Sequence, residues 1–132
     1  MTSLESIARE RAEASGGQLL VLGIEDRQAL VTLEQEIFPE DPWTTGMIAQ
    51  ELSSGRSVYF GVCVNDDAVA PPVLCGYAGI ALGIDADVMT MGVLPDFRGR
   101  GLGRVLMDAL IDVARRWGSE RVFLEVRESN AA

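Results

Sequence analysis

The sequence predicts one α/β domain built on a mixed sheet, and three observations support this fold class. The 132-residue chain is 48% hydrophobic and 23% charged, which is the apolar content of one globular core. Two β-rich runs flank a polar connection that contains prolines, as in an antiparallel hairpin. Further along, a β-rich run, a glycine-rich turn, an amphipathic helix and a last β-rich run follow in the order of a parallel βαβ unit.

The N-terminal part predicts a tail, a strand and two helices. Residues 1–17 are polar, carry charges of both signs and end in Ser-Gly-Gly, so we expect a flexible tail followed by a single domain over residues 18–132. Residues 18–24 are a short apolar run that predicts a strand. Apolar residues at helical spacing predict a helix that Pro39 ends, and a threonine cap predicts a second helix that stops near Gly55.

The C-terminal part predicts the hairpin and the βαβ unit. The β-rich runs predict strands over residues 57–64, 73–82, 87–93 and 121–126. Apolar residues from Leu102 to Trp117 recur at the spacing of one buried helical face, and Gly118 ends this helix. The last strand is expected to lie parallel to the strand before the helix and to be buried on both faces.

Charge and hydropathy exclude several kinds of partner. The formal net charge is -9, which argues against direct nucleic-acid binding, because such binding depends on Lys and Arg neutralising phosphates. Negative charge suits a cationic partner, and solubility explains it equally well. No apolar run approaches the roughly 20 residues that cross a bilayer, and the N-terminus lacks a signal-peptide pattern. We therefore expect a cytoplasmic protein that does not bind membranes.

Histidine and cysteine usage limits the chemistry. The chain has no histidine, which removes the commonest general base near neutral pH and the usual zinc sites, so no metal is expected. Cys63 and Cys75 lie in apolar runs without CxxC spacing, which predicts two buried thiols. Proton transfer must then use a carboxylate, a tyrosine, a cysteine or a chain terminus.

The stretch RGRGLGR, from Arg98 to Arg104, carries the clearest chemical signal. Its three glycines expose backbone N–H groups at a helix N-terminus, where anions bind, and its three arginines add positive charge in an acidic chain. It predicts a site for a polyanion such as a pyrophosphate; the alternative is a flexible turn with solvated arginines. The spacing GxGxG misses the dinucleotide fingerprint GxGxxG, and no P-loop Lys-Ser/Thr pair follows.

The segment VLPDFRGRGLG resembles the acyl-CoA-binding motif, Gln/Arg-x-x-Gly-x-Gly/Ala, of the GNAT superfamily of N-acetyltransferases. The resemblance extends into LEVRESN and, with DPWT upstream, is greatest to the RimI branch, which acetylates protein N-termini, notably the N-terminal alanine of a small-subunit ribosomal protein. It implies a mixed, mostly antiparallel sheet with helices on both faces and a central parallel βαβ unit that carries the acetyl-CoA site. The implied reaction is direct attack of an amine on the thioester.

The resemblance implies which residues bind acetyl-CoA. In the family the pantetheine arm pairs with the strand before the turn, here the backbone of Met91, Gly92 and Val93, which also steadies the oxyanion. An interior glycine such as Gly92 marks a bulge or the close approach of another backbone, or is a packing glycine. Asn130 matches a cofactor-binding asparagine, or caps a loop. The pyrophosphate contacts fall on Arg98, Gly99, Arg100, Gly101, Leu102, Gly103 and Arg104.

Glu125 is the candidate general base. It is a single carboxylate in an apolar β-rich run, and burial raises the pKa of a carboxyl toward that of a useful base. RimI-like enzymes use a glutamate at this place in LEVR. The alternative is a structural ion pair with Arg127 or another arginine.

The acceptor side and the end of the chain complete the resemblance. Trp43 in DPWT is a candidate for the peptide groove or a buried anchor. Family members continue past ESNAA, residues 128–132, with a helix whose tyrosine is the general acid, and neither Tyr59 nor Tyr77 lies in a matching motif. We expect a truncated form with weakened or no turnover, or a second chain that supplies the missing elements, together with self-association through the exposed sheet edge.

The leading hypothesis is an acetyl-CoA-dependent N-acetyltransferase whose partner is a protein N-terminus. Two alternatives remain open: a family member that acetylates a small-molecule amine or a lysine, and a module that binds CoA or a nucleotide without catalysis. Binding of CoA but not of NAD or ATP favours the acetyltransferases, and binding of NAD favours the module. Turnover with different acceptors then decides between the hypotheses.

Overall fold

The computed structural model describes residues 18–64 and 73–124, which form a five-stranded mixed sheet with helices on both faces. The strands are β1 (Gln18–Leu22), β2 (Ser57–Val64), β3 (Val73–Ala81), β4 (Asp85–Val93) and β5 (Arg121–Leu124). The helices are α1 (Arg27–Ile37), α2 (Thr45–Ser53) and α3 (Leu102–Trp117), with 3₁₀ turns over Ile24–Asp26 and Pro95–Phe97. The sheet order is β1-β2-β3-β4-β5; β4 and β5 are parallel and the other neighbours antiparallel. The predicted fold class is confirmed.

Local sequence signals set the helix boundaries. α1 ends at Ile37, two residues before Pro39, which has no N–H and disfavours helical backbone in the residue before it. The N-cap of α2 is Thr44, whose Oγ1 accepts a hydrogen bond from the Met47 N–H at 3.1 Å. α3 ends at Gly118, whose φ of 104° suits glycine. None of the helices in the described ranges is long and apolar enough to cross a bilayer.

The sheet separates two apolar cores. On one face α3 packs across β2, β3 and β4, and this core includes Phe60, Ile80, Leu106 and Leu110. On the other face α1 and α2 pack on the same strands, and this core, called the α1 core below, includes Leu30, Ile37, Phe38, Tyr59 and Tyr77. Cys63 and Cys75 are buried free thiols, as the sequence predicted.

A bulge in β4 changes the face on which its residues lie. Val88 and Thr90 lie opposite adjacent residues of β3, which leaves Met89 as the extra residue. Before the bulge, Val88 belongs to the core under α3, whereas Thr90 lies 3.4 Å from the Tyr77 hydroxyl in the α1 core. After the bulge, Thr90 and Gly92 face α1, whereas Met91 and Val93 pack against the core under α3.

β5 and the end of α3 correct two expectations of burial. Val122, Phe123 and Leu124 are 40%, 47% and 50% exposed, so the described part of β5 is not buried on both faces. The reason is that β5 is an edge strand of the sheet formed by residues 18–64 and 73–124, whereas α3 packs across β2, β3 and β4. Trp117 is 51% exposed rather than buried, because the core that α3 covers ends one turn earlier, with Ala114.

Candidate functional site

The glycine-rich turn has a backbone that glycine adopts far more easily than other residues. Gly99 and Gly101 have φ values of 82° and 81°, and nothing beyond their adjacent residues lies within 4 Å of where a Cβ would stand. The first helical hydrogen bond of α3 runs from the Val105 N–H to the Gly101 carbonyl at 3.2 Å. The N–H groups between these residues have no acceptor within the helix, so they are available to an anion at the positive end of the helix dipole.

A pocket of about 370 Å³ lies between the end of β4 and the N-terminus of α3. Its lining consists of Met91, Gly92, Val93, Phe97, Arg98, Gly99, Gly101, Leu102 and Gly103. The fold therefore brings together the three strand residues and the turn that the sequence assigned to one ligand. Of the other predicted ligand residues, Arg100 and Arg104 lie outside this lining, and Asn130 lies outside the described residues.

Arg98 ties the turn to β4. Its Nε donates a hydrogen bond to the Val93 carbonyl oxygen at 3.1 Å. The Leu94 N–H donates to the carbonyl of Cys75 on β3 at 2.8 Å. Because the backbone groups of successive residues in a strand point to opposite sides, the N–H and carbonyl of Val93 point away from β3. Val93 and the Arg98 guanidinium thus both face the pocket.

Phe97 lines the pocket, although the sequence analysis did not predict it as a ligand-binding residue. The Arg100 guanidinium carbon lies 5.2 Å from the centroid of the Phe97 ring, a cation–π arrangement that holds the Arg100 charge beside the pocket. The available signal was an aromatic residue directly before the arginine-rich turn. Arg104 is exposed on the first turn of α3.

β4 and β5 pair only over the first half of β4. The parallel pairs run from Asp85 with Arg121 to Val88 with Leu124, and Asp85 and Arg121 also form an ion pair at 2.6 Å. Beyond Val88, no pairing of β4 with β5 occurs within residues 73–124. Met91, Gly92 and Val93 line the pocket, and among the residues that the structure describes no strand pairs with them on the side away from β3. A strand with a free side of this kind can pair with an extended ligand arm.

α1 lies directly against the pocket strand on the opposite face from α3. A Cβ placed on Gly92 would stand 2.6 Å from Cγ2 of Ile37 and 3.1 Å from Cζ of Phe38. Gly92 is therefore a packing glycine beneath side chains of α1 and the residue after it. The bulge of β4 falls at Met89 and not at Gly92. The approach of an extended ligand arm to the Gly92 backbone stays a prediction.

The loop between α1 and α2 carries the predicted acceptor residue. Trp43 is half-buried and packs against the α1 core, and its backbone N–H donates to Oε1 of Glu34 at 2.9 Å. Acidic side chains around this loop are exposed, namely Glu36, Glu40 and Asp41. The structure thus shows Trp43 as an anchor of this loop, and a contact with the acceptor stays a prediction.

Both described tyrosines have partners inside the fold. The Tyr59 hydroxyl donates to Oε1 of Glu51 at 2.8 Å, and the Tyr77 hydroxyl lies 3.4 Å from Oγ1 of Thr90. Both rings are buried, which agrees with assigning the general-acid role to neither. The predicted general base Glu125, like Asn130, lies outside the described residues.

Comparison with known proteins gives a consistent family match. The model of the acetyltransferase (GNAT) family matches residues 27–132. The N-alpha-acetyltransferase RimI of Mycobacterium tuberculosis is 39% identical over 113 residues, which cover 81% of this chain and 66% of that protein. A putative [ribosomal protein bS18]-alanine N-acetyltransferase of Bacillus subtilis is 29% identical over 108 residues, covering 81% of this chain and 68% of that protein. The chain spans about two thirds of the length of these two relatives.

The fold has close counterparts among solved structures. The crystal structure of the ribosomal-protein-S18-alanine N-acetyltransferase from Escherichia coli superposes with a TM-score of 0.73 at 28% identity, covering 87% of this chain and 70% of that chain. An N-acetyltransferase from Thermoplasma acidophilum in complex with coenzyme A has a TM-score of 0.69 at 15% identity, which shows a shared fold. It covers 87% of this chain and 82% of that chain.

Proposed function

The chain belongs to the acetyltransferase (GNAT) family of acetyl-CoA-dependent N-acetyltransferases, and from this premise we propose that it acetylates the N-terminal amine of a protein. The acceptor is an N-terminal alanine, that of a small-subunit ribosomal protein. The observation that carries the proposal is the pocket in which the end of β4 meets the N-terminus of α3. Acetyl-CoA has an extended pantetheine arm and a pyrophosphate. The pocket offers a strand edge to the arm and a helix N-terminus to the pyrophosphate.

The pyrophosphate binds the first N–H groups of α3. The left-handed backbone of Gly99 and Gly101, with open space around both, lets a bulky oxyanion approach the amides closely. Arg98 stands at this end of the pocket and Arg100 beside it, so their positive charge complements the phosphates. The pantetheine arm lies along Met91 to Val93.

The chemistry is a direct transfer. The neutral amine nitrogen attacks the thioester carbonyl carbon, and a C–N bond forms. The C–S bond then breaks, and the proton that the attacking nitrogen gives up passes, directly or through water, to the leaving CoA thiolate. Backbone N–H groups at the end of β4 stabilise the oxyanion. Glu125 accepts the proton that the acceptor ammonium must lose, directly or through water.

The choice of acceptor rests on the relatives. Two relatives that this chain covers over 81% of its own length are a RimI N-alpha-acetyltransferase and a putative ribosomal bS18-alanine acetyltransferase. The exposed acidic residues around the loop between α1 and α2 supply charge that attracts a cationic peptide N-terminus. Asn130 supplements the contacts with acetyl-CoA, and Trp43 borders the acceptor groove.

The decisive experiment measures acetylation by mass spectrometry. The protein is incubated with acetyl-CoA and a peptide that begins Ala-Arg, beside the same peptide with a blocked N-terminus, free lysine and a polyamine. We expect one acetyl group on the open peptide only. Acetylation of the free amines in preference to the peptide would refute the proposed acceptor.

The matched variants are Glu125→Gln and Glu120→Gln. Glu120 is exposed at the start of β5, so its variant controls for loss of one negative charge in the same segment. We expect Glu125→Gln to lower kcat at neutral pH by roughly 100-fold, as for loss of a general base, and Glu120→Gln to leave it unchanged. Equal activity of the Glu125 variant and the wild type would remove Glu125 from the mechanism.

A further inference from the structure

We infer that Glu34 is a positioning residue for the acceptor: its buried carboxylate fixes the loop between α1 and α2, residues 38–44, against the strand that borders the pocket. The consequence for catalysis rests on the proposed function. The structural part of the inference, that this one side chain holds the loop, does not.

Glu34 is buried where the helix pattern alone would place an apolar residue. It is 0% exposed and shares the buried face of α1 with Leu30, Leu33 and Ile37. Glutamate is almost never fully buried unless its carboxylate is paired, because removing a charge from water is costly. A leucine at this position would complete the apolar face of α1. A carboxylate at a position where the helix pattern favours an apolar residue breaks a local rule, and such exceptions are typical of functional positions.

The contacts of Glu34 enclose the loop at both ends. Its backbone carbonyl accepts the Phe38 N–H at 2.9 Å, where α1 stops, and its Oε1 accepts the Trp43 N–H at 2.9 Å, directly before the Thr44 cap of α2. The backbone bond closes the last turn of α1 with any side chain at this position, so the Oε1 contact with Trp43 is the one that depends on the carboxylate. The side-chain contact spans nine residues of sequence, and a charged acceptor makes it stronger than a neutral hydrogen bond.

The loop is coupled to the pocket through Gly92. Ile37 and Phe38 lie over Gly92, which lines the pocket from the other side of the sheet. Trp43 packs half-buried on the same α1 core. A displacement of the loop therefore shifts the side chains that cover Gly92 on the α1 face of the sheet, which is the side from which an acceptor amine has to approach. It leaves the glycine-rich turn unchanged.

Two variants of Glu34 separate this role from simple packing. Glu34→Leu keeps the volume and completes the apolar face, but leaves the Trp43 N–H without this acceptor. Glu34→Gln keeps the volume and an amide oxygen that accepts the same hydrogen bond. Leaving one half-buried N–H without this acceptor costs about 1–3 kcal/mol, which is less than the stability of an ordinary domain, so the leucine variant is expected to fold.

The first measurement needs no activity. The chain has two tryptophans, and Trp117 is exposed at the end of α3, so the variants are made in a Trp117→Phe background that leaves Trp43 as the fluorescent probe. Acrylamide quenching of Trp43 is expected to rise at least about twofold in Glu34→Leu and to stay near the parent value in Glu34→Gln, because local opening follows loss of the loop contact. Unchanged quenching in the leucine variant would overturn the inference.

The second measurement is the split between kcat and KM. In Glu34→Leu we expect KM for the acceptor peptide to rise roughly tenfold, with kcat and KM for acetyl-CoA changed less than about twofold, and recovery in Glu34→Gln. A loss of kcat and of both affinities together with a lower Tm would indicate a merely structural residue and would overturn the acceptor role. A parent protein without turnover would defeat the proposed function instead, and the quenching result would still decide whether Glu34 holds the loop.

Discussion

Nε of Arg98 and the carbonyl oxygen of Val93 form a 3.1 Å hydrogen bond that joins the glycine-rich turn to the strand before it. Arg98→Ala loosens the turn and removes a positive charge from the pocket lining, so we expect CoA binding to weaken about fivefold, which corresponds to about 1 kcal/mol for one exposed charged contact. Titration calorimetry at low and high salt measures this, since the loss due to charge shrinks with ionic strength.

Arg98→Gln and Arg115→Ala are the controls for this prediction. Glutamine keeps an N–H donor without the charge, so it should recover the part of the affinity that survives at high salt. Arg115 is exposed near the far end of α3, and its variant should bind CoA like the wild type. Wild-type affinity in Arg98→Ala at low salt would show that the Arg98 contact does not shape the site.

Gly101→Ala should cost both stability and CoA binding. Its φ of 81° lies in the left-handed region, where a Cβ costs roughly 1–2 kcal/mol, and the added methyl group narrows the approach to the first N–H groups of α3. Gly118→Ala is matched in strain, since φ there is 104°, but lies at the other end of α3. We expect similar losses in urea unfolding for both, with weaker CoA binding only for Gly101→Ala. Equal CoA affinities of the two variants would argue against pyrophosphate binding at the turn.

Gly92→Ala should destabilise the fold through a clash with α1. The new Cβ would stand 2.6 Å from Cγ2 of Ile37, and overpacking of this kind costs about 1–3 kcal/mol. The cost should shrink in an Ile37→Ala background, which a double-mutant cycle by urea unfolding measures. Gly46→Ala in α2 is the control, because the nearest atom to its new Cβ is 3.9 Å away. Additive costs of the Gly92 and Ile37 changes would contradict the contact.

The free energy of unfolding should fall at alkaline pH because of the buried Cys63 thiol. Burial raises the pKa of the Cys63 thiol above its ordinary value of 9.0, so above that pH the unfolded chain loses the proton first. The contribution of Cys63 to the free energy of unfolding is therefore complete below the ordinary thiol pKa of 9.0, and it is lost as the pH rises from there through the higher pKa of the folded state. Cys63→Ala lowers stability overall but should flatten the decline between about pH 8 and 10. Parallel pH profiles from urea unfolding would exclude this contribution.

Much of the architecture could be predicted from the chain because its determinants are local. The proline after α1, the threonine cap of α2 and Gly118 after α3 set helix ends through backbone chemistry within a few residues. The glycine-rich turn was recognisable for the same reason, since its left-handed backbone and its helix N-terminus lie in one continuous stretch.

Other features depended on residues distant in sequence. The bulge at Met89 arises from pairing with β3, and the exposure of β5 depends on where α3 packs. The role of Gly92 required knowing that Ile37 lies above it. Phe97 could be assigned to the pocket only after the turn and β4 were brought together.

The sequence by itself determined the order of elements and the glycine-rich turn at a helix N-terminus, because residue type and spacing govern these without reference to the rest of the fold. Tertiary structure alone decided that Glu34 is buried and holds the Trp43 loop across nine residues, and that the second half of β4 borders a pocket. Burial depends on which distant segments exclude water from a residue, and register depends on which strands pair. No local sequence pattern specifies either of them.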